Sequence, residues 1–249
     1  AQYVLGKLYQ DGVYFNKDMD QAMKWFRSAA ELGNEYAAYR MGCLLLLGEE
    51  IPKDVEAAVK WLSLSAEKGN PYAQYRLGML YLKGEEFSPQ VEVAMKWLQQ
   101  AAEQKNEWAF YQLGKLYLSG EHVTKNVETA VHYLGLCAEK GNQYAQYVLG
   151  KLYLCGRDVS RDREKAVEYL TASAEQGNLY ASFLLEHLDA YQDPSLFLAA
   201  TRLLHHLEKL FCEEVQRPME MKRYQIDRKR RRKLLEKKQA QGHHSGDQE

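Results

Sequence analysis

With 249 residues, 46% of them hydrophobic and 27% charged, the chain has the composition of a water-soluble globular protein or a single repeat array. No apolar run approaches the roughly 18 residues that a membrane span needs, and no secretory signal is present. The net charge of −1 hides a division: Arg217 to Lys238 carry eleven Lys and Arg against Glu220, Asp227 and Glu236, a balance of +8, and residues 1–216 carry −7. The four cysteines, at 43, 137, 155 and 212, form no CxxC pair and fall at different places in the repeat described below. That spacing argues against a disulfide framework or a zinc site, and it suits reduced thiols in a reducing compartment, the cytoplasm. The chain opens at Ala1, inside a repeat and without Met, so it is expected to be a fragment of a longer protein.

A Gly-Asn pair recurs at 33–34, 69–70, 141–142 and 177–178, with Lys105-Asn106 in the remaining slot, so the period is 36 residues. Self-similarity at this spacing signals a stacked array. Each repeat divides into two helical patterns. The first runs like Tyr72 to Leu82, where Ala73, Leu77, Leu80 and Tyr81 share one face. Asn34, Asn70, Asn106, Asn142 and Asn178 are its N-caps, and Gly48, Gly84, Gly120 and Gly156 suit its left-handed C-terminal turn. A short loop follows, with an apolar residue at its middle (Phe15, Ile51, Phe87, Val123, Val159) expected to cover the edge of the core. Asp18, Asp54, Asn126 and Asp162 then cap the second helix, and Gln90 is the weak cap of the series.

The second helix runs like Val55 to Lys68, with Ala58, Trp61, Leu62 and Ser65 inward. Trp25, Trp61, Trp97, Tyr133 and Tyr169 share one slot, and Trp61→Ala is expected to open a core cavity costing roughly 3–5 kcal/mol. Cys137 stands where other repeats have Ala or Ser and reads as a small core residue. Gly6, Gly42, Gly78, Gly114 and Gly150 lie inside the first helix, where glycine costs about 1 kcal/mol against alanine. Five recurrences predict that the two helices of a repeat cross there too closely for a Cβ.

The order A-x-x-x-L-G-x-L-Y-x-x-G, K-x-A-x-x-W/Y, A-E-x-G-N resembles the Sel1-like repeat, a relative of tetratricopeptide repeats. Ala73, Leu77, Gly78, Leu80, Tyr81, Gly84, Ala94, Trp97 and Ala102 carry the match in one repeat, and it extends over about residues 1–189. Leu45 in place of Tyr, Lys105 in place of Gly and Glu186 in place of the helix glycine depart from it. The resemblance implies an all-α fold, a right-handed α-solenoid of antiparallel helix pairs, and a non-enzymatic protein-interaction scaffold.

Residues 1–178 are thus read as five repeats of 36, and 179–212 as a divergent terminal helix pair that caps the array. Asp193-Pro194 opens the second helix of that pair, and Leu196, Ala199, Ala200, Leu203, Leu207 and Leu210 form its stripe. Residues 213–249 form a basic linker and tail, partly helical or disordered. The segment IDRKRRRKLLEKK after ATRLLHHLEKLF looks similar to the C-terminal ends of mobilisation relaxases that bear Sel1-like repeats. That likeness implies an accessory region of a nucleic-acid-processing protein, with Arg228, Lys229, Arg230, Arg231, Arg232 and Lys233 contacting DNA phosphates.

No nucleotide loop, nucleophile elbow or zinc-protease motif occurs. His205-His206 point about 100° apart on a helix and do not make a ligand pair. Neither catalytic residues, metal nor cofactor are expected. Binding candidates are aromatic. Tyr39, Tyr75, Tyr111 and Tyr147 occupy one slot of the first helix. In tetratricopeptide relatives such offsets reach ligand on the concave face. Met79, Lys115 and Lys151, one turn further on, vary between repeats and are therefore candidates for specificity. Together these seven residues form the expected groove for a protein or peptide partner. The slot three residues earlier (Tyr36, Tyr72, Trp108, Tyr144, Tyr180) reads more as stacking between repeats.

Overall fold

The computed structural model describes residues 1–84 and 88–188. Among these residues it contains eleven α-helices and no strand: α1 Gln2–Asp11, α2 Met19–Glu31, α3 Glu35–Leu47, α4 Val55–Glu67, α5 Pro71–Lys83, α6 Val91–Glu103, α7 Glu107–Ser119, α8 Val127–Glu139, α9 Gln143–Cys155, α10 Arg163–Glu175 and α11 Leu179–Glu186. Residues 1–10 and 18–186 form one compact body, in which each helix packs on its neighbours in sequence. The loop Asp11–Lys17 groups separately. Within it Gly12 turns at φ 65°, and Tyr14 and Phe15 are exposed, whereas Ile51, Val123 and Val159 in the matching loops are half-buried.

Three local devices turn the 36-residue pattern into stacked helix pairs. Asn70 accepts from the Tyr72 and Ala73 amides through Oδ1, and Asn34, Asn106, Asn142 and Asn178 cap their helices in the same way. The Asn70 backbone N–H also donates to the Ser65 carbonyl, and the Gly69 N–H to Ala66, while Gly69 sits at φ 94°. One residue therefore closes a helix in a Schellman turn and opens the next. Lys105 holds the glycine slot at φ 60°. The second device is the hairpin inside each repeat, where the amide of the residue that starts the second helix donates back to the first. Asp54 bonds to Leu45, Gln90 to Tyr81, Asn126 to Tyr117 and Asp162 to Tyr153, at 2.9–3.1 Å. Asp18, Asp54, Asn126 and Asp162 cap through their side chains, and Gln90 makes no such bond.

The third device is the interior glycine. A Cβ at Gly78 would fall 2.7 Å from Leu98 Cγ and 3.2 Å from the Ala94 carbonyl, and Gly42, Gly114 and Gly150 meet Leu62, Leu134 and Leu170 alike. The crossing expected from the sequence is therefore present, and the residue that fills it is this leucine. Leu62, Leu98, Leu134 and Leu170 are fully buried, with Phe26 in the first repeat. Here the expectation for Trp61 needs correction. Trp25, Trp61, Trp97, Tyr133 and Tyr169 are only half-buried. They lie one residue before the leucine, about 100° around the helix, and Trp61 packs at the margin of the cluster formed by Ala22, Phe26, Ala37 and Met41.

Buried polar groups close the joints between repeats. Gln74 donates to the Ala66 carbonyl of the preceding repeat and accepts from Gln104; Gln146 does the same with Ala138 and Gln176. The alternate repeats differ. Ala38 and Phe110 replace the glutamine, and Lys68 and Lys140 replace its partner. Lys140 lies over the Phe110 ring and donates to the Lys105 carbonyl of the repeat before. The asparagine caps, interior glycines and hairpins repeat every 36 residues, whereas this joint alternates from the second repeat to the fifth with a period of 72; the first has Gln2 with Leu32 in the partner slot.

Candidate functional site

The first helix of each repeat buries Ala, Leu or Met, and Gly on one side, as α3 does with Ala37, Met41 and Gly42. Its other side carries the aromatic slots. The structure joins the two slots into one row of pairs across the joints. Tyr3 meets Tyr36 at 6.4 Å between ring centroids, Tyr39 meets Tyr72 at 6.1 Å, Tyr111 meets Tyr144 at 6.4 Å and Tyr147 meets Tyr180 at 6.1 Å, all tilted by 40–52°. Such tilted pairs contribute about 0.5–1.5 kcal/mol beyond buried area, so the row strengthens the stack as well as facing outward. Of the candidates, Tyr39, Tyr75 and Tyr111 are half-buried and Tyr147 is buried. Tyr36 and Tyr72, from the slot read as stacking, are the more exposed, at 48% and 50%.

Lys115 lies over Tyr111 at 5.7 Å from the ring centre, and Lys151 over Tyr147 at 5.9 Å. Both pairs span four residues, the separation at which helical side chains meet. Met79 is half-buried beside the core cluster of α6 to α9. Arg40, absent from the sequence candidates, lies on the same side. Burial lowers its guanidinium, but the hydrogen bond to Tyr3 together with the electrostatic influence of Tyr3, Cys43 and Tyr39 raises it on balance. Arg40 and its counterpart Arg76 could have been found by taking two positions three apart as one surface place. Arg228 to Lys233 lie outside the described residues, as do the helix from 195 and the rest of the tail.

Elsewhere, an open hollow of about 230 Å³ is lined by Gln99, Ala102, Glu103, Phe110 and Tyr133. Burial, then Tyr117 and Glu103, push the Tyr133 phenol up. Cys137 is fully buried and donates to the Glu107 carbonyl, and burial pushes its thiol up to about 12. It takes the place of Ser65 and Ser173, whose hydroxyls donate to Glu35 and Gln143. Cys43, Cys137 and Cys155 form no disulfide. Among the described residues there is no cluster of three or more metal-ligating side chains, and no helix long and apolar enough to cross a membrane.

Stacked antiparallel helix pairs with a shared joint define an α-solenoid repeat protein. The Sel1 repeat model matches residues 1–34, 35–70, 71–106, 109–142 and 143–178, and the chain belongs to the Sel1 repeat family. It is similar to c5321, a protective antigen of uropathogenic Escherichia coli strains that displays an SLR fold. Identity there is 32% over 75% of this chain and 40% of that one, with a TM-score of 0.72. The chain thus spans well under half the length of that protein. A Sel1 repeat protein from Oxalobacter formigenes is 33% identical over 72% of this chain and 74% of its own, with a TM-score of 0.66. No curated protein is significantly similar to the chain. Sel1 repeat proteins generally act as non-enzymatic protein-interaction scaffolds.

Proposed function

We propose that this chain is a non-enzymatic scaffold of the cytoplasm whose concave, tyrosine-lined groove receives a partner protein or peptide. The groove comprises Tyr39, Tyr75, Met79, Tyr111, Lys115, Tyr147 and Lys151. The observation that carries the reading is the set of tyrosine pairs on the first helices, at four of the joints, with Lys115 and Lys151 held over their rings. Tyrosine offers a large rigid contact with a hydroxyl at its tip, the combination enriched at binding hot spots.

The test places a photoreactive amino acid at Met79 or, on the opposite helix layer, at Glu56. A partner captured from Met79 alone, and lost in Tyr75→Ala plus Tyr111→Ala protein of unchanged helicity, is the expected result. Equal capture from Glu56, or capture indifferent to the tyrosines, counts against the groove.

The balance of +8 between Arg217 and Lys238 favours a second reading, in which Arg228 to Lys233 hold nucleic-acid phosphates beside the scaffold. Binding of a labelled duplex would then disappear on removal of residues 217–249 and weaken steeply with salt.

A further inference from the structure

Two places on the tyrosine side of the first helices, three residues apart, hold Val4 and Lys7, Arg40 and Cys43, Arg76 and Met79, Gln112 and Lys115, and Val148 and Lys151 in the five repeats. Every repeat has one cation in this pair of places and a neutral residue in the other, and no repeat has an acid in either. Residues three apart on a helix are surface neighbours, so each repeat offers its cation at nearly the same height. Stacking does not require this, because the charge moves between the two places while Ala, Leu or Met, and Gly fill the core side. A merely solvated face would mix signs. Each second helix instead has an acid in its first turn and ends in glutamate. Glu35 and Glu107 open α3 and α7, where an acid favours the helix start. Three of the cations are tied to tyrosine: Arg40 by its bond to Tyr3, Lys115 over Tyr111 and Lys151 over Tyr147.

We propose that this column of five cations receives an extended acidic peptide, with one carboxylate side chain for each repeat. The proposal rests on the reading of the tyrosine face as the binding surface. Packed helices lie about 8–10 Å apart, and a polyproline-type chain advances about 3.1 Å per residue with three residues per turn. An acid at every third residue of such a chain therefore stays on one side and meets successive cations. A nucleic acid fits this column less well. Its phosphates follow at about 3.4 Å along each strand of a duplex, several times denser than the cations.

The experiment titrates the whole chain against a fluorescent peptide of repeated Glu-Pro-Ser triplets, its Gln-Pro-Ser counterpart and an oligothymidylate. The glutamate peptide should bind about tenfold or more tightly than the glutamine peptide. Lys115→Gln plus Lys151→Gln should weaken it about tenfold, and Lys115→Arg plus Lys151→Arg should keep it. Equal binding of the two peptides overturns the proposal. So does glutamate binding indifferent to the glutamine substitutions, which would place it on the basic tail. Tighter, lysine-dependent binding of the oligothymidylate overturns it in favour of nucleic acid. If the acidic peptide fails while the partner captured at Met79 still depends on Tyr75 and Tyr111, the groove stands and only its acidic ligand falls.

Discussion

Gly78 shows how much of this fold rests on single atoms. Its absent Cβ leaves room for Leu98, so Gly78→Val should cost about 1–3 kcal/mol in a urea melt, although glycine disfavours a helix by itself. Burial depth separates two neighbours that the sequence places on one face. Leu62 is fully buried and Trp61 is not, so Leu62→Ala should cost roughly 2–5 kcal/mol and Trp61→Ala distinctly less. The reverse order in paired melts would overturn this placement. Periodicity marks the inner half of a helix but not the depth reached by each residue on it, which is why the tryptophan looked central. Cys137 was legible as a core residue because alanine and serine share its slot. Its thiol ionises only near 12, so iodoacetamide at neutral pH should leave it unmodified in the folded chain. Cys137→Ser should fold with little change in stability, since Ser65 and Ser173 already donate from that slot at 2.7 Å.

At the scale of the helix, the caps divide the array into strong and weak starts. Gln90 leaves α6 without a side-chain cap, and Gln90→Asp should stabilise the chain by about 0.5–1 kcal/mol and slow amide exchange in the first turn of α6. Asp162 adds a dependence on acid. Its bond from the Lys165 amide, chiefly, holds its carboxyl below the ordinary value of 3.8. A group lowered on folding contributes its stability above the unfolded value and loses it as pH falls through the folded one. The protection factor of the Lys165 amide, its exchange relative to the unfolded rate at the same pH, should therefore fall as pH drops below the carboxylate range, while that of Thr129, capped by the uncharged Asn126, should not respond in this way. Asp162→Asn should make the two helices alike. These caps were legible because Asn, Asp and Gly have few other reasons to recur at fixed offsets. Gln74 and Gln146 were not legible. A glutamine is usually solvated, and only the stacked helices show that Gln74 and Gln146 are buried and add a second donor to the Ala66 and Ala138 carbonyls. The row of tyrosine pairs was half legible. The recurrence was plain, but the partner of each ring lies 33 residues on, in the next repeat.

Across the whole array, the joints alternate between a buried glutamine pair and a lysine that reaches the end of the preceding repeat. Removing residues 71–142 sets Gln146 against Ala66, a joint of the kind Gln74 already makes. Removing residues 71–106 instead sets the repeat of Phe110 and Lys140 directly on that of Ala38 and Lys68, so two lysine joints follow one another with no glutamine pair between them. The longer deletion should therefore keep a single cooperative melt at unchanged helicity per residue, and the shorter one should broaden the melt and lower its midpoint. A sharper transition for the shorter deletion would show that the alternation has no energetic meaning. The same alternation bears on ancestry. Tyr-Ala-Gln-Tyr stands at 72–75 and again at 144–147, in the third and fifth repeats, and Glu35 and Glu107 open the second and fourth. Copying a two-repeat block leaves this imprint. A lineage that copies such blocks can lengthen its molecule by two repeats at a time and inherit every new joint ready-made.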